Sequence, residues 1–152
     1  MTVQVQFSLN IATEAEIFRH LSCCDVDFLP PLSDRVEINA YVQKIAANAT
    51  RFEAWIADVL VGLVAAYCNN NTSSVAYITS ISVLREYQGK GIASGLMQQC
   101  IKYVNQQEFE WVELGVDREN ASAIKLYKNQ KFTISDVNGR IVTMYLKIRK
   151  NT

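Results

Sequence analysis

Two glycines separated by one lysine, in the run Gln88-Gly89-Lys90-Gly91-Ile92-Ala93, are the residues whose type and spacing most directly suggest chemistry. The run follows the apolar stretch Ile81-Ser82-Val83-Leu84 and opens a segment that carries Ile92, Leu96, Cys100 and Val104 on one helical stripe. Glycine at 89 and 91 removes β-carbons where a bulky anion must approach the main chain. The N–H groups at a helix start lack intrahelical acceptors and lie at its positive end, so the arrangement is a cradle for a diphosphate. A glycine pair between strand and helix also serves as a plain tight turn, and the pair alone leaves both readings open. A dinucleotide fingerprint, with Glu113 as ribose-binding acid, would need a third glycine where Ser94 stands, and a Walker loop would need Gly-Lys-Ser/Thr at its end.

Other chemistry is poorly supplied. The four cysteines stand at 23, 24, 68 and 100 without a Cys-x-x-Cys pair, and His20 is the sole histidine, so no metal site is expected. Small, largely buried thiols in a reducing cytosol are the expected state. The triplets at 48–50, 71–73 and 120–122 match the glycosylation pattern, but no export signal is read at the amino terminus, and a cytoplasmic location is expected.

The elements that must hold the cradle can be read from periodicity. The chain of 152 residues, 49% apolar and 20% charged, is expected to fold as one domain over residues 1–152. Fifteen basic residues balance fifteen acidic ones, which disfavours nucleic acid or an anionic membrane as partner. No stretch reaches transmembrane length. Val3, Val5, Phe7 and Leu9 alternate with polar residues as a first strand, and Thr13 with Glu16 forms a capping box ahead of Ile17, Phe18 and Leu21. The loop 25–32 holds Phe28-Leu29-Pro30-Pro31, and a second helix is expected from Ser33 to about Thr50. Strands follow at 52–57, 60–68 and 75–83, joined by Asp58-Val59 and the polar run 69–74. A third helix runs from about Gly91 to Asn105 and a fifth strand covers 111–116. A fourth helix is capped by Asn120, and a hairpin of 132–137 and 141–148 turns at Asn138-Gly139. The order β-α-α-β-β-β-α-β-α-β-β predicts a mixed sheet of α/β (α+β) type with helices on its faces.

The run from Arg85 to Ala93 resembles the Gln/Arg-x-x-Gly-x-Gly/Ala signature of the GNAT superfamily of acyl-CoA N-acyltransferases. Glu119-Asn120-x-x-Ala123-x-x-Leu126-Tyr127-x-x-x-x-Phe132 is similar to the downstream element of that family, in the same order. The likeness spans nearly the whole chain and implies a mostly antiparallel seven-stranded sheet flanked by about four helices. It implies acetyl-CoA as cosubstrate, with the main chain of Gln88, Gly89, Lys90, Gly91, Ile92 and Ala93 on the pyrophosphate and Ile81, Ser82 and Val83 along the pantetheine arm. Asn120 becomes a side-chain contact to the cofactor, although as a residue it reads equally well as a helix cap. Tyr127 becomes the general acid, because a phenol with pKa ~10 stays protonated at neutral pH and can donate to the departing thiolate.

The chain departs from the family where a base is wanted. No carboxylate lies between Ala76 and Leu84, which leaves Glu53, Asp25, Asp27 or a chain of waters to take the proton of the acceptor amine. Leu84 stands where the family often has proline, and Lys131 where it has glycine. Asp27, Phe28, Leu29 and Trp55 are expected around the acceptor, taken to be the primary amine of a small molecule. A protein amino terminus or lysine, or a non-catalytic acyl-CoA-binding regulator, are the alternatives. The chain is expected to work as a monomer or homodimer.

Overall fold

The computed structural model describes residues 4–68 and 74–148; Val3, most of the joint 69–74 and the triplet 71–73 lie outside them. Seven strands form one mixed sheet in the order β1-β2-β3-β4-β5-β7-β6. They are β1 (Gln6–Leu9), β2 (Thr50–Ile56), β3 (Val59–Tyr67), β4 (Val75–Val83), β5 (Trp111–Asp117), β6 (Thr133–Asn138) and β7 (Ile141–Lys147). Every neighbouring pair is antiparallel except β4 with β5.

Five α-helices accompany the sheet: α1 (Glu14–Cys24), α2 (Leu32–Arg35), α3 (Ile38–Asn48), α4 (Ile92–Gln106) and α5 (Ala121–Asn129). Short 3-10 turns cover Asp25–Asp27 and Arg85–Tyr87. The expected second helix is in fact two. Val36 is extended, at φ −142° and ψ 158°, and the Glu37 carboxylate then caps α3 by accepting from Asn39 N and Ala40 N. The gain of two capping bonds at a helix start outweighs continuity of the coil. The capping box at Thr13 and the Asn120 cap both form as expected.

The sheet carries a core on each face. On one, α4 covers it through Leu96, Met97 and Cys100 and α5 through Tyr127; on the other, α1 and α3 bury Ile17, Leu21, Val42 and Ile45 against Leu60 and Leu63 of β3. With both faces covered, β3 is buried from Leu60 to Ala66. Gly62 lets α4 lie close to the sheet: a β-carbon there would meet Ile92 Cγ2 and Leu96 Cδ1 at 3.0 Å. The first turn of α4 is thereby seated against β3, where it overlooks the end of β4. Among the described residues no helix is long and apolar enough to cross a membrane.

Candidate functional site

The site begins as a failure of pairing. β4 and β5 hold parallel register only from Val75↔Trp111 to Ile78↔Leu114. Thr79 is then the extra residue of a bulge against β3, since Ala65 faces Ser80 while Ala66 faces Ile78. Tyr41 of α3 donates from Oη to the Thr79 carbonyl at 2.8 Å, so the bulge oxygen has a partner. Past this point β4 continues to Val83 beside β3 and β5 continues to Asp117 beside β7, and the two leave a wedge between them.

A cavity of about 630 Å³ occupies the wedge, of the size that takes a ligand. Of the residues expected to bind cofactor, Ile81, Ser82, Val83, Gln88, Gly89, Gly91, Ile92, Ala93 and Asn120 line it, together with Tyr127 and the loop residues Asp27, Phe28 and Leu29. Lys90, although exposed in the same turn, is not part of the lining.

At the mouth, Gly89 and Gly91 take the left-handed conformation, φ 77° and 83°. A β-carbon on either would meet nothing of the protein within 4 Å, so the glycines serve the turn and leave open space in front of it. Gly91 is the N-cap of α4 and offers no side chain, whereas α1, α3 and α5 are capped by Thr13, Glu37 and Asn120. The longest helix thus directs an uncapped, positive end at the cavity, and its donors suit a phosphate or other anion. Gln88 is turned inward, donating from Nε2 to the Val83 carbonyl at 3.0 Å. These features fit a nucleotide diphosphate bound by main-chain amides, with a linear arm lying along the free edge of β4.

Tyr127 enters from α5, 7% exposed, with its ring tilted against Phe132 at 6.2 Å. Burial pushes its pKa up to about 12, so the phenol holds its proton throughout the neutral range. Lys131, just before Phe132, has φ 76°, a left-handed turn made without glycine.

Glu53 and Trp55, expected at the site, stand elsewhere. The pairing of β1 with β2 sets Glu53 opposite Ser8, and its buried carboxylate accepts from Ser8 Oγ (2.8 Å), Ile11 N (2.8 Å), Ala12 N (3.0 Å) and Arg51 Nε (3.2 Å). It fastens the start of α1 to the sheet and does not line the cavity. Trp55 donates from Nε1 to the same Ser8 hydroxyl at 2.7 Å, likewise away from the lining. The Asp25 carboxylate accepts from Ser33 N at 2.7 Å, a bond that lowers its pKa and shapes the loop. Asp27 is hydrogen-bonded and ion-paired to Arg85, joining the loop 25–32 to the segment that leads into the glycine turn.

Sequence reasoning missed His20. It lies on the buried stripe Ile17, His20, Leu21, Cys24 of α1. Nδ1 is 3.1 Å from the Leu60 carbonyl and Nε2 is 2.8 Å from Ser82 Oγ, with Cys24 Sγ at 3.8 Å. A carbonyl only accepts, so Nδ1 carries the hydrogen and Nε2 receives the Ser82 hydroxyl. Burial lowers the His20 pKa to about 4, and the ring is neutral at neutral pH. A histidine on a core-facing helical stripe needs buried partners, which is the one signal the sequence offered. Among the described residues no group of three His, Cys, Asp or Glu is gathered as a metal ion would require.

The model of the acetyltransferase (GNAT) family matches residues 15–132, most of the chain and every residue lining the cavity except Ile141. The chain belongs to the GNAT acetyltransferase family. An N-acetyltransferase of Methanocaldococcus jannaschii is 37% identical over 81 residues, which are 51% of this chain and 36% of that relative. The match thus spans about a third of the length of the curated relative. Three solved structures share the fold, each with a TM-score of 0.74. The ribosomal-protein-S18-alanine N-acetyltransferase of Escherichia coli is 16% identical, covering 98% of this chain and 97% of that one. A chimera of Vibrio cholerae spermidine N-acetyltransferase is 24% identical, covering 93% and 95%. The protein yncA of Salmonella typhimurium, solved with its cofactor acetyl-CoA, is 16% identical, covering 95% of each.

Proposed function

We propose that this GNAT domain, a single unit over 1–152, transfers the acetyl group of acetyl-CoA directly to the primary amine of a small molecule. The observation that carries the reading is the uncapped start of α4 behind two left-handed glycines, facing a wedge whose β4 edge has lost its strand partner. Main-chain donors from Gln88 to Ala93 would hold the diphosphate, and the edge Ile81 to Val83 would pair with the amides of the pantetheine arm. Bound acetyl-CoA supplies the activated acetyl thioester. Tyr127 holds a proton within the cavity for the departing sulfur, and no covalent enzyme intermediate is needed when both substrates are held in line.

The E. coli neighbour acts on a protein alanine, which keeps a protein amino terminus as the second reading of the acceptor, whereas the V. cholerae neighbour acts on spermidine, a small-molecule amine in line with the first. The test is thermal unfolding with CoA and acetyl-CoA, followed by an amine screen that detects free thiol. Stabilisation with thiol release is expected. Absence of stabilisation by either ligand removes the reading, and stabilisation without release over a broad amine panel leaves a binding protein.

A further inference from the structure

The acceptor side of the wedge lacks what a cationic substrate needs. Two carboxylates line the cavity, Asp27 and Asp117, and each faces an arginine: Asp27 is ion-paired with Arg85, and Asp117 Oδ2 lies 2.9 Å from Arg140 without a hydrogen bond of its own among the described residues. Arg35 of α2 also lines the cavity, beside the Phe28 ring at 5.9 Å, and among the described residues no carboxylate pairs with it. Its positive field reaches Tyr41 of α3 and Tyr77 of β4, and burial nevertheless keeps both phenols above their ordinary pKa and uncharged. From α1, Cys24 is a neutral thiol pushed up to about 12 by burial, and His20 is a neutral imidazole; from α5, Tyr127 is a neutral phenol. The wall around an incoming amine therefore presents neutral groups, two carboxylates each facing an arginine, and one uncompensated cation.

Ser82 gives this wall a direction. Its hydroxyl hydrogen is committed to His20 Nε2, whose own tautomer is set by the Leu60 carbonyl, so Ser82 Oγ has only lone pairs left for the cavity it lines. Such an oxygen accepts an N–H and leaves the nitrogen lone pair unused, as nucleophilic attack requires.

Resting on the acetyl-transfer reading, we infer that the site takes its acceptor as the uncharged amine, held by an N–H to Ser82 Oγ, and is therefore selective for weakly basic amines such as α-amino groups over alkylamines. The loss of the ammonium proton precedes binding, and water takes it; the second N–H proton, acidified when the amine attacks, replaces the one Tyr127 gives to the departing thiolate. At pH 7 an α-amino group with pKa near 7.7–8.0 offers roughly 300-fold more neutral amine than a lysine-like amine near 10.4. His20 acts through Ser82 and is a positioning residue.

The test compares ethylamine with 2,2-difluoroethylamine, nearly equal in size but different in basicity, by thiol release from acetyl-CoA between pH 6.5 and 9.5. The expected result is a kcat/KM that rises about tenfold per pH unit for ethylamine and levels off, for the fluorinated amine, at the pKa of that amine. Levelling of both amines at one shared pH would reveal a titrating enzyme base and overturn the inference. Ser82→Ala is expected to raise the KM for the fluorinated amine by about tenfold while acetyl-CoA still stabilises the variant; an unchanged KM removes Ser82 from the site. Glycinamide and a glycine-initiated hexapeptide then separate a free metabolite from a polypeptide end, and activity on either at neutral pH supports the class. No thiol release from any amine at any pH, in protein that acetyl-CoA stabilises, overturns the acetyl-transfer reading and this inference with it.

Discussion

His20 on α1 and Ser82 on β4 meet at 2.8 Å across 62 residues of sequence, tying the first helix to the strand that borders the wedge. Burial of the ring on this side of the sheet sets a pH signature, against which its hydrogen bonds pull the other way. The folded pKa of His20, about 4, lies below the ordinary 6.5, so between these values the unfolded chain binds a proton that the folded chain does not. Stability is full above about pH 6.5 and falls as the pH drops toward 4, by roughly 3 kcal/mol in total. Urea midpoints measured between pH 7 and 4 should fall more steeply for the wild type than for His20→Gln. Parallel curves would show that His20 does not control the transition.

Gly91→Ala separates the turn from its ligand. Its φ of 83° makes a β-carbon cost about 1–2 kcal/mol, yet no protein atom lies within 4 Å of that carbon. A modest loss of stability is expected together with at least a tenfold weaker acetyl-CoA affinity by calorimetry, because the methyl group would intrude on the open face of the cradle. Undiminished affinity would place the diphosphate elsewhere.

Tyr127→Phe keeps the buried ring against Phe132 and removes only the hydroxyl. If the phenol is the proton donor, kcat falls about 10²-fold with KM for acetyl-CoA nearly unchanged. Retained turnover would make Tyr127 a packing residue.

Glu53→Gln tests a structural role. The carboxylate is fully buried and receives the Arg51 guanidinium, a hydroxyl and two main-chain N–H groups. An amide cannot accept at both ends, and the arginine loses its counter-charge, so a loss of about 3 kcal/mol in unfolding free energy is expected. Turnover of the folded fraction should match the wild type; a selective loss of kcat would return Glu53 to the mechanism.

The parts of the site legible in the sequence are those made by near neighbours. The Thr13–Glu16 box, the Asn120 cap, the terminal hairpin and the glycine turn each depend on a few consecutive residues, and each forms, although the hairpin turns on Gly139-Arg140, one residue beyond the expected Asn138-Gly139, because Asn138 pairs with Ile141. The break at Val36 was hidden because Ser33 and Asp34 read as the start of the helix whose period, Ile38, Tyr41, Val42 and Ile45, begins only after it, while the competing cap is a single carboxylate at Glu37. Glu53 and Trp55 were misplaced because alternation shows that a strand has two faces without showing what covers each; the register of β1 against β2 decides that, through Ser8. His20 looked idle because its partners are 40 and 62 residues away. Local hydrogen bonds write themselves into adjacent letters, and long-range ones do not.

The divergence of β4 from β5 also has a mechanical side. Four residue pairs, Val75↔Trp111 to Ile78↔Leu114, stitch β1–β4 to the block of β5, β7 and β6. Beyond the last stitch the seam lies open, and a slender amide chain laid into it would act as an eighth ribbon shared by both blocks. Rigidity of the sheet would then belong to the loaded molecule, with amide exchange slowing together in β4 and β5 when the seam is filled.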